Sequence, residues 1–513
     1  MYIQELGMDI KQFIYFLESD EGILARGFRL NLRLKYISPD LLQALFLAIQ
    51  NSNKPLPQGF TLGLSYNNIG DEAAVYLAYA IQNSNKPLPQ GFTLSLSSNN
   101  IGDKSAEYLA YAIQNSNNPL PQRFTLNLSH NKIGPDGTKA IADAIQKSNK
   151  PLPEGFNIYI GMNHIGNQGA EYLANAIQNS NHPLPQAFSL DIYNNNIGPA
   201  GAQALANAIQ NTNNPLPQGC TLNFAHNHIG NQGAEYLANA IQNSNLPQGF
   251  TLNSGINGIG IQGAKYFANA IRNPNNPLPQ GFALNLAHGC MINEGTEALA
   301  DAIQNPNYPL PEGFTLNLAN NFLRKEGAKV LADAIQNSNL PEGFTLDIEN
   351  NEFGPSGAKY FANAIQNPRH QLPQKFSLNL NLNNLQSTER ASILSAIFNN
   401  EYGHSQINET IIERPFEFLA WQKSHRATIA FATAIPALAK KGLTIQTDIA
   451  GDIASFLVIS KNFNPQEWLD TQVSKADIGT RTNFLSLFAK NKISDPEASS
   501  ENSKGNKKPK LKI

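Results

Sequence analysis

The string Phe-x-Leu-x-Leu-x-x-Asn-x-Ile-Gly, repeated at a fixed interval along most of this 513-residue chain, constrains the fold more than any other feature. Taking the residue that opens each unit, the starts are Phe28, Phe60, Phe92, Phe124, Phe156, Phe188, Cys220, Phe250, Phe282, Phe314, Phe344 and Phe376. Nine of the eleven spacings are 32 residues and two are 30. Both short spacings shorten the same segment, turning Asn-x-Pro-Leu-Pro-Gln into Asn-Leu-Pro-Gln at Leu246 and into its acidic version at Leu340. A surface loop absorbs such a loss, whereas a helix or strand would lose its face. The proline segment is therefore read as a loop.

Each unit reads as one strand, one turn and one helix. In the second unit Leu62 and Leu64 alternate with Thr61, Gly63 and Ser65, the period of a strand with one buried face. Gly70 breaks the chain, and Ala74, Leu77, Ala78 and Ile81 then follow at helical spacing. Pro135 and Pro199 fall just inside their helices, where a missing N–H costs nothing. Gln-Asn-Ser-Asn followed by Pro-Leu-Pro stops each helix. A lone unit has one apolar face and nothing to cover it, so the units are expected to stack, pairing their strands into one parallel sheet over a shared core.

Over residues 28 to 398 this pattern resembles the leucine-rich repeats, and the long helix with its Gly-Ala start and Leu-Ala-x-Ala-Ile end resembles the ribonuclease-inhibitor-like subtype. The resemblance implies an α/β solenoid, a horseshoe with a parallel concave sheet and convex helices, used for binding protein. The chain departs from the subtype in its slightly longer units and in the Pro-Leu-Pro-Gln-Gly-Phe loop, which implies a bulkier rim.

Four segments follow: an N-terminal helical cap over 1–27, with Ile10, Phe13, Ile14 and Leu17 on one face; twelve repeats over 28–398; a small all-α domain over 399–492, which holds Trp421 and Trp468; and a disordered basic tail over 493–513. The net charge of −2 gives no pull toward nucleic acid or an anionic membrane, and neither is expected as a partner. The chain is expected to be a monomer. Cys220 and Cys290 lie far apart and outside any Cys-x-x-Cys pair, which argues against a disulfide framework or zinc finger. The first residues lack the blocks of a signal peptide, and the apolar run near Thr428 to Ala439 is too short to span a bilayer.

The most regular polar feature is an asparagine every unit: Asn67, Asn99, Asn131, Asn163, Asn195, Asn227, Asn257, Asn321, Asn351 and Asn383, interrupted by Lys35 at the start and by Gly289. An amide at the bend from strand to turn is placed to bond the backbone of adjacent turns, so a structural ladder is expected. Gly258, Gly260 and Gly263 spell G-x-G-x-x-G, but two of these glycines belong to the repeat itself and no acidic residue follows about twenty positions on. No cofactor is expected. His130, His226 and His288 stand in separate units with few acidic neighbours, and no metal is expected from them.

What the repeat leaves open is the concave strand face. Its largest side chains gather in the middle, where Tyr159, Met162 and Tyr193 are flanked by His130 and His226, with Asp191 and His288 on the same surface. Tyr, Met and His anchor interfaces, and the residues are read as partner-binding. The alternative is that they are tolerated surface residues. No group of residues in the repeats converges as nucleophile, base and oxyanion donors, and the chain is not expected to be an enzyme.

The layout also resembles leucine-rich-repeat effectors translocated by intracellular Gram-negative bacteria, some of which are ubiquitin ligases with a catalytic cysteine in a helical C-terminal domain. Residues 400 to 513 contain no cysteine, so that mechanism is excluded. The stretch from Asp448 to Leu457 is faintly similar to an F-box helix, which keeps a ubiquitin-pathway adaptor or an enzyme with the repeats as substrate selector as the second reading. In the tail, Glu497 to Glu501 with serines and the apolar Leu511 and Ile513 resemble a type IV translocation signal, and Lys507, Lys508 and Lys510 resemble a nuclear address. The resemblance implies residence in the bacterial cytoplasm, export, and action on a protein in the host cytoplasm.

Overall fold

The computed structural model describes residues 9–19 and 24–380, apart from 53, 84, 85, 308 and 368–371, together with Asn383 and Ile393. The expected helical domain over 399–492, its tryptophans, the F-box-like stretch, the tail and the helix of the twelfth repeat lie outside the described residues. Within them the chain alternates twelve strands, from β1 (Arg29–Asn31) to β12 (Ser377–Asn379), with helices that run from α1 (Ile10–Glu18) to α12 (Gly354–Gln366). The strands form one open parallel sheet in strict chain order, and equivalent residues sit opposite each other: Leu30 against Leu62, Tyr159 against Asp191, Asp347 against Asn379.

Each strand has three residues, and only the middle one is buried, which turns one sheet face to the helices and leaves the other open. Strands stack about 4.8 Å apart, whereas packed helices need roughly 8–10 Å between axes. One unit supplies one of each, so the stack must bend with the strands on its inner side. This is the solenoid that the repeat spacing predicts.

The core is a set of columns, one residue per unit. The opening phenylalanines stack nearly parallel, with ring centroids 6.0 Å apart for Phe60 and Phe92 and 6.3 Å for Phe156 and Phe188. Phe13 of α1 enters the head of this column, 5.7 Å from Phe60, and covers the end of the first unit. Asp9 and Gln12 close the start of that helix by bonding each other's backbone N–H. Cys220 interrupts the column. It is fully buried, its thiol pKa is pushed up to about 12 by burial, and the same unit carries buried Phe224 where the preceding unit carries Ile192 and the following one Ser254.

Polar groups bind one unit to the next in three rows. In the first, the Asn131 side-chain nitrogen donates to the carbonyls of Leu128 in its own unit (2.8 Å) and Leu96 in the preceding one (3.0 Å), while its oxygen accepts from Asn99 N–H (2.9 Å) and Ile101 N–H (3.1 Å). All ten of these asparagines are buried. In the second row, a side chain of one unit caps the next unit's helix: Asp103 accepts from Gly134 and Gly137, and Asn167 from Gly198 and Gly201. The third row runs through the proline loop, where Gly59 N–H donates to Gln90 O and Gly91 N–H to Gln122 O. Those glycines have φ near +70°, and consecutive ones pack backbone to backbone, so a side chain would be strained there. The shortened loops keep this row, with Gly249 bonding Gln280 and Gly343 bonding Gln374, because the deletion lies upstream of the turn.

Removing one amide from the first row strands buried backbone groups of two units. Asn131→Ala is expected to cost about 1–3 kcal/mol, read as a lower denaturant midpoint at unchanged slope.

Candidate functional site

The open sheet face is built from three outward positions per unit: the residues one, three and five places after the opening Phe. The position three places on is less free than its variety suggests, because nine of the twelve units place Asn or Asp there. The strand ends at that residue, and its side-chain oxygen caps the N–H two residues later: Asn127 to Ser129 (2.9 Å), Asp191 to Tyr193 (3.0 Å), Asn285 to Ala287 (2.9 Å). Asp191 therefore has a structural duty. Its second oxygen accepts from the Asn223 amide at 2.9 Å. That recurrence was the signal in the sequence that this position is constrained.

Tyr159 breaks the rule and projects a half-buried ring opposite Asp191 in the adjoining strand. Tyr193, two residues beyond Asp191, leans back over Gly161 of the preceding unit, and a methyl group added at Gly161 would collide with its ring. Gly161 is buried beneath it. Met162 joins the cluster through its backbone, its N–H bonding Tyr193 O at 2.8 Å. Burial is the first cause that raises the Tyr193 hydroxyl above its ordinary range, followed by the Asp191 carboxylate and by Tyr66. For Tyr159 the causes are burial and then Asp191, and Asp191 itself is raised by burial, against the lowering effect of its two hydrogen bonds. Both tyrosines thus stay neutral donors across the physiological range.

Met162, His130, His226 and His288 do not lie on the strands. They occupy the turn just past them, all with φ between +54° and +59°, and so form the rim of the face. His130 bonds the Gly161 carbonyl through its backbone N–H and borders the tyrosine cluster, and His226 stands one unit beyond Tyr193. His288 lies three units from Tyr193 and does not join the cluster. Among the described residues no three His, Cys, Asp or Glu side chains meet in a metal-binding group. The glycines of the G-x-G-x-x-G string serve the repeat: Gly260 N–H donates to Gly289 O, Gly263 N–H to Ile259 O, and Gly263 lies where a side chain would press on Ala234.

A second exposed row, which the sequence analysis did not single out, lies on the helices. Leu47, Tyr79 and Tyr111 occupy equivalent places in the first three units and are 44%, 57% and 56% exposed. The next eight units carry Asn or Asp at that place.

Comparison with protein families places a leucine-rich-repeat model on residues 61–78, 93–110, 125–142, 189–206 and 221–238, each running from the start of a strand into the following helix. No curated protein matches the chain. No helix among the described residues is long and apolar enough to cross a membrane. With its open parallel sheet and one helix per strand, the repeat region is a leucine-rich-repeat solenoid, a fold whose repeats suggest a protein-binding module.

Proposed function

We propose that the chain binds a partner protein on the inner sheet face, centred on Tyr159, Tyr193 and Met162. The observation that carries this reading is the placement of Tyr193 across the buried Gly161. A tyrosine laid flat on the neighbouring strand has little rotamer freedom left to lose, so it meets a partner at low entropic cost. Tyr159 beside it offers a second ring and a neutral hydroxyl, and Met162 and His130 line the rim. The surrounding strand positions carry Thr, Ser, Asn, Gly and Ala, a polar but nearly uncharged surface suited to close approach by another backbone. Twelve strands at about 4.8 Å give an inner arc on the order of 50 Å, long enough for a folded partner.

The partner belongs, on this reading, to a host cell into which the protein is exported. The repeat layout and the tail residues Glu497 to Glu501, Leu511 and Ile513 support an effector role. In this picture the solenoid acts by binding.

Two outcomes follow. With a partner recovered from eukaryotic lysate on the full chain, Tyr159→Ala with Tyr193→Ala is expected to weaken binding by about 2 kcal/mol or more at unchanged thermal stability; undiminished affinity places the contact elsewhere. A reporter carrying residues 480–513 is expected to leave a bacterial donor that has a type IV apparatus, and its retention in the donor contradicts export.

A further inference from the structure

The outward strand positions carry charge in only three units. Unit 1 has Arg29 and Arg33, both exposed; unit 6 has the hydrogen-bonded Asp191; unit 11 has Asp347 and Glu349, both half-buried. Ten strand steps of about 4.8 Å separate the basic pair from the acidic pair, roughly 48 Å along the sheet. The face therefore has a positive end, a middle that contains the tyrosines and whose one charged side chain is the hydrogen-bonded Asp191, and a negative end.

Neither end is explained by the fold. Asp347 caps Glu349 N–H at 3.1 Å, but Asn317 makes the same bond to Ala319 at 2.9 Å without a charge. Two carboxylates two residues apart on the same face repel, and burial first, then neighbouring Glu349, raises the Asp347 carboxyl above the usual range. The carboxylates are nonetheless held in place, Asp347 by the Asn317 amide (3.1 Å) and Glu349 by the Asn379 amide (3.2 Å). At the other end the Arg33 guanidinium lies 4.5 Å over the Tyr66 ring, which fixes one of the two cations. Charge on the edge strand β1 also discourages edge-to-edge pairing, a task that Glu performs as well as Arg.

We infer that the occupant of this face is an elongated protein, acidic where it meets Arg29 and Arg33 and basic where it meets Asp347 and Glu349, and that these ends set a single binding orientation. The inference rests on the binding face proposed above and adds the partner's charge order. A partner laid down the other way would set like charges against each other at both ends, and like-charge contact across an interface is costly.

The test uses the full chain and a displayed library of helical bundles randomised along a face about 45 Å long, a length of some 30 helical residues. Binders are kept if they lose affinity for the Tyr159→Ala, Tyr193→Ala variant. They are expected to carry Asp or Glu at one end and Lys or Arg at the other. Their affinity should fall about tenfold for R29E/R33E and again for D347K/E349K, with each loss restored by inverting the charges at the matching end of the binder. That restoration also shows that the variants are folded. Tyrosine-dependent binders without charge order, indifferent to both reversals, overturn this inference and leave the binding face standing. The absence of any tyrosine-dependent binder overturns both. A doubled mass by light scattering at low salt, lost on reversal at either end, puts a second copy of this chain in the partner's place and overturns the inference.

Discussion

The hydrogen bonds from one asparagine per unit to the backbone of the unit before it hold the structure in register. A three-residue strand has too few ladder bonds to define its own alignment, and every strand here has three residues. The asparagine removes that ambiguity, because one buried amide bonds four backbone groups in two units and fits only when the strands are level. The phenylalanine column and the helix contacts then fall into line. Because burying an amide is favourable only when all its bonds are made, the row acts as a register lock as well as a source of stability.

The open face inherits its properties from this arrangement. Once backbone needs are met by the ladder, the helix caps and the proline-loop bonds, the outward side chains are relieved of most structural work, and departures among them stand out. Asp191 shows that the relief is partial, since it caps Tyr193 as well as lying on the face. Tyr193 shows the opposite case: it uses the space vacated by Gly161, and both residues deviate from their repeat in adjoining units. A face built this way combines rigid strands with a few replaceable side chains, which suits recognition.

How much of this was legible in the sequence depended on whether the information was local. Alternation at Leu62 and Leu64 and the helical spacing from Ala74 to Ile81 are properties of one unit, and the 32-residue period carries them to every other unit. The solenoid follows from these. The recurrence of Asn67, Asn99 and Asn131 is equally visible, whereas the atoms they bond belong to the unit before. The face was harder to read. The tilt of Tyr193 over Gly161 joins residues 32 apart, and the rim position of Met162 and the histidines comes from the left-handed turn, a conformation that side chains other than Gly and Asn do not advertise. Charge order along the sheet emerges only after the outward positions are aligned across units 1 to 11.

The ladder has one internal gap, and it gives the account its sharpest test. Gly289 replaces the asparagine of the ninth unit and presents no amide oxygen to the N–H groups of Asn257 and Ile259, and the neighbouring core position holds buried Ser254 where other units hold a larger apolar residue. The direct measurement is native-state hydrogen exchange of the paired amides, because local opening tracks the bonds that hold each joint. If the asparagines carry the register, Asn257 and Ile259 exchange at least about tenfold faster than Asn99 and Ile101, a difference of about 1.4 kcal/mol in local opening. Equal protection at the two joints would contradict the account, since the stack would then hold its alignment without the amide that is missing from one of them.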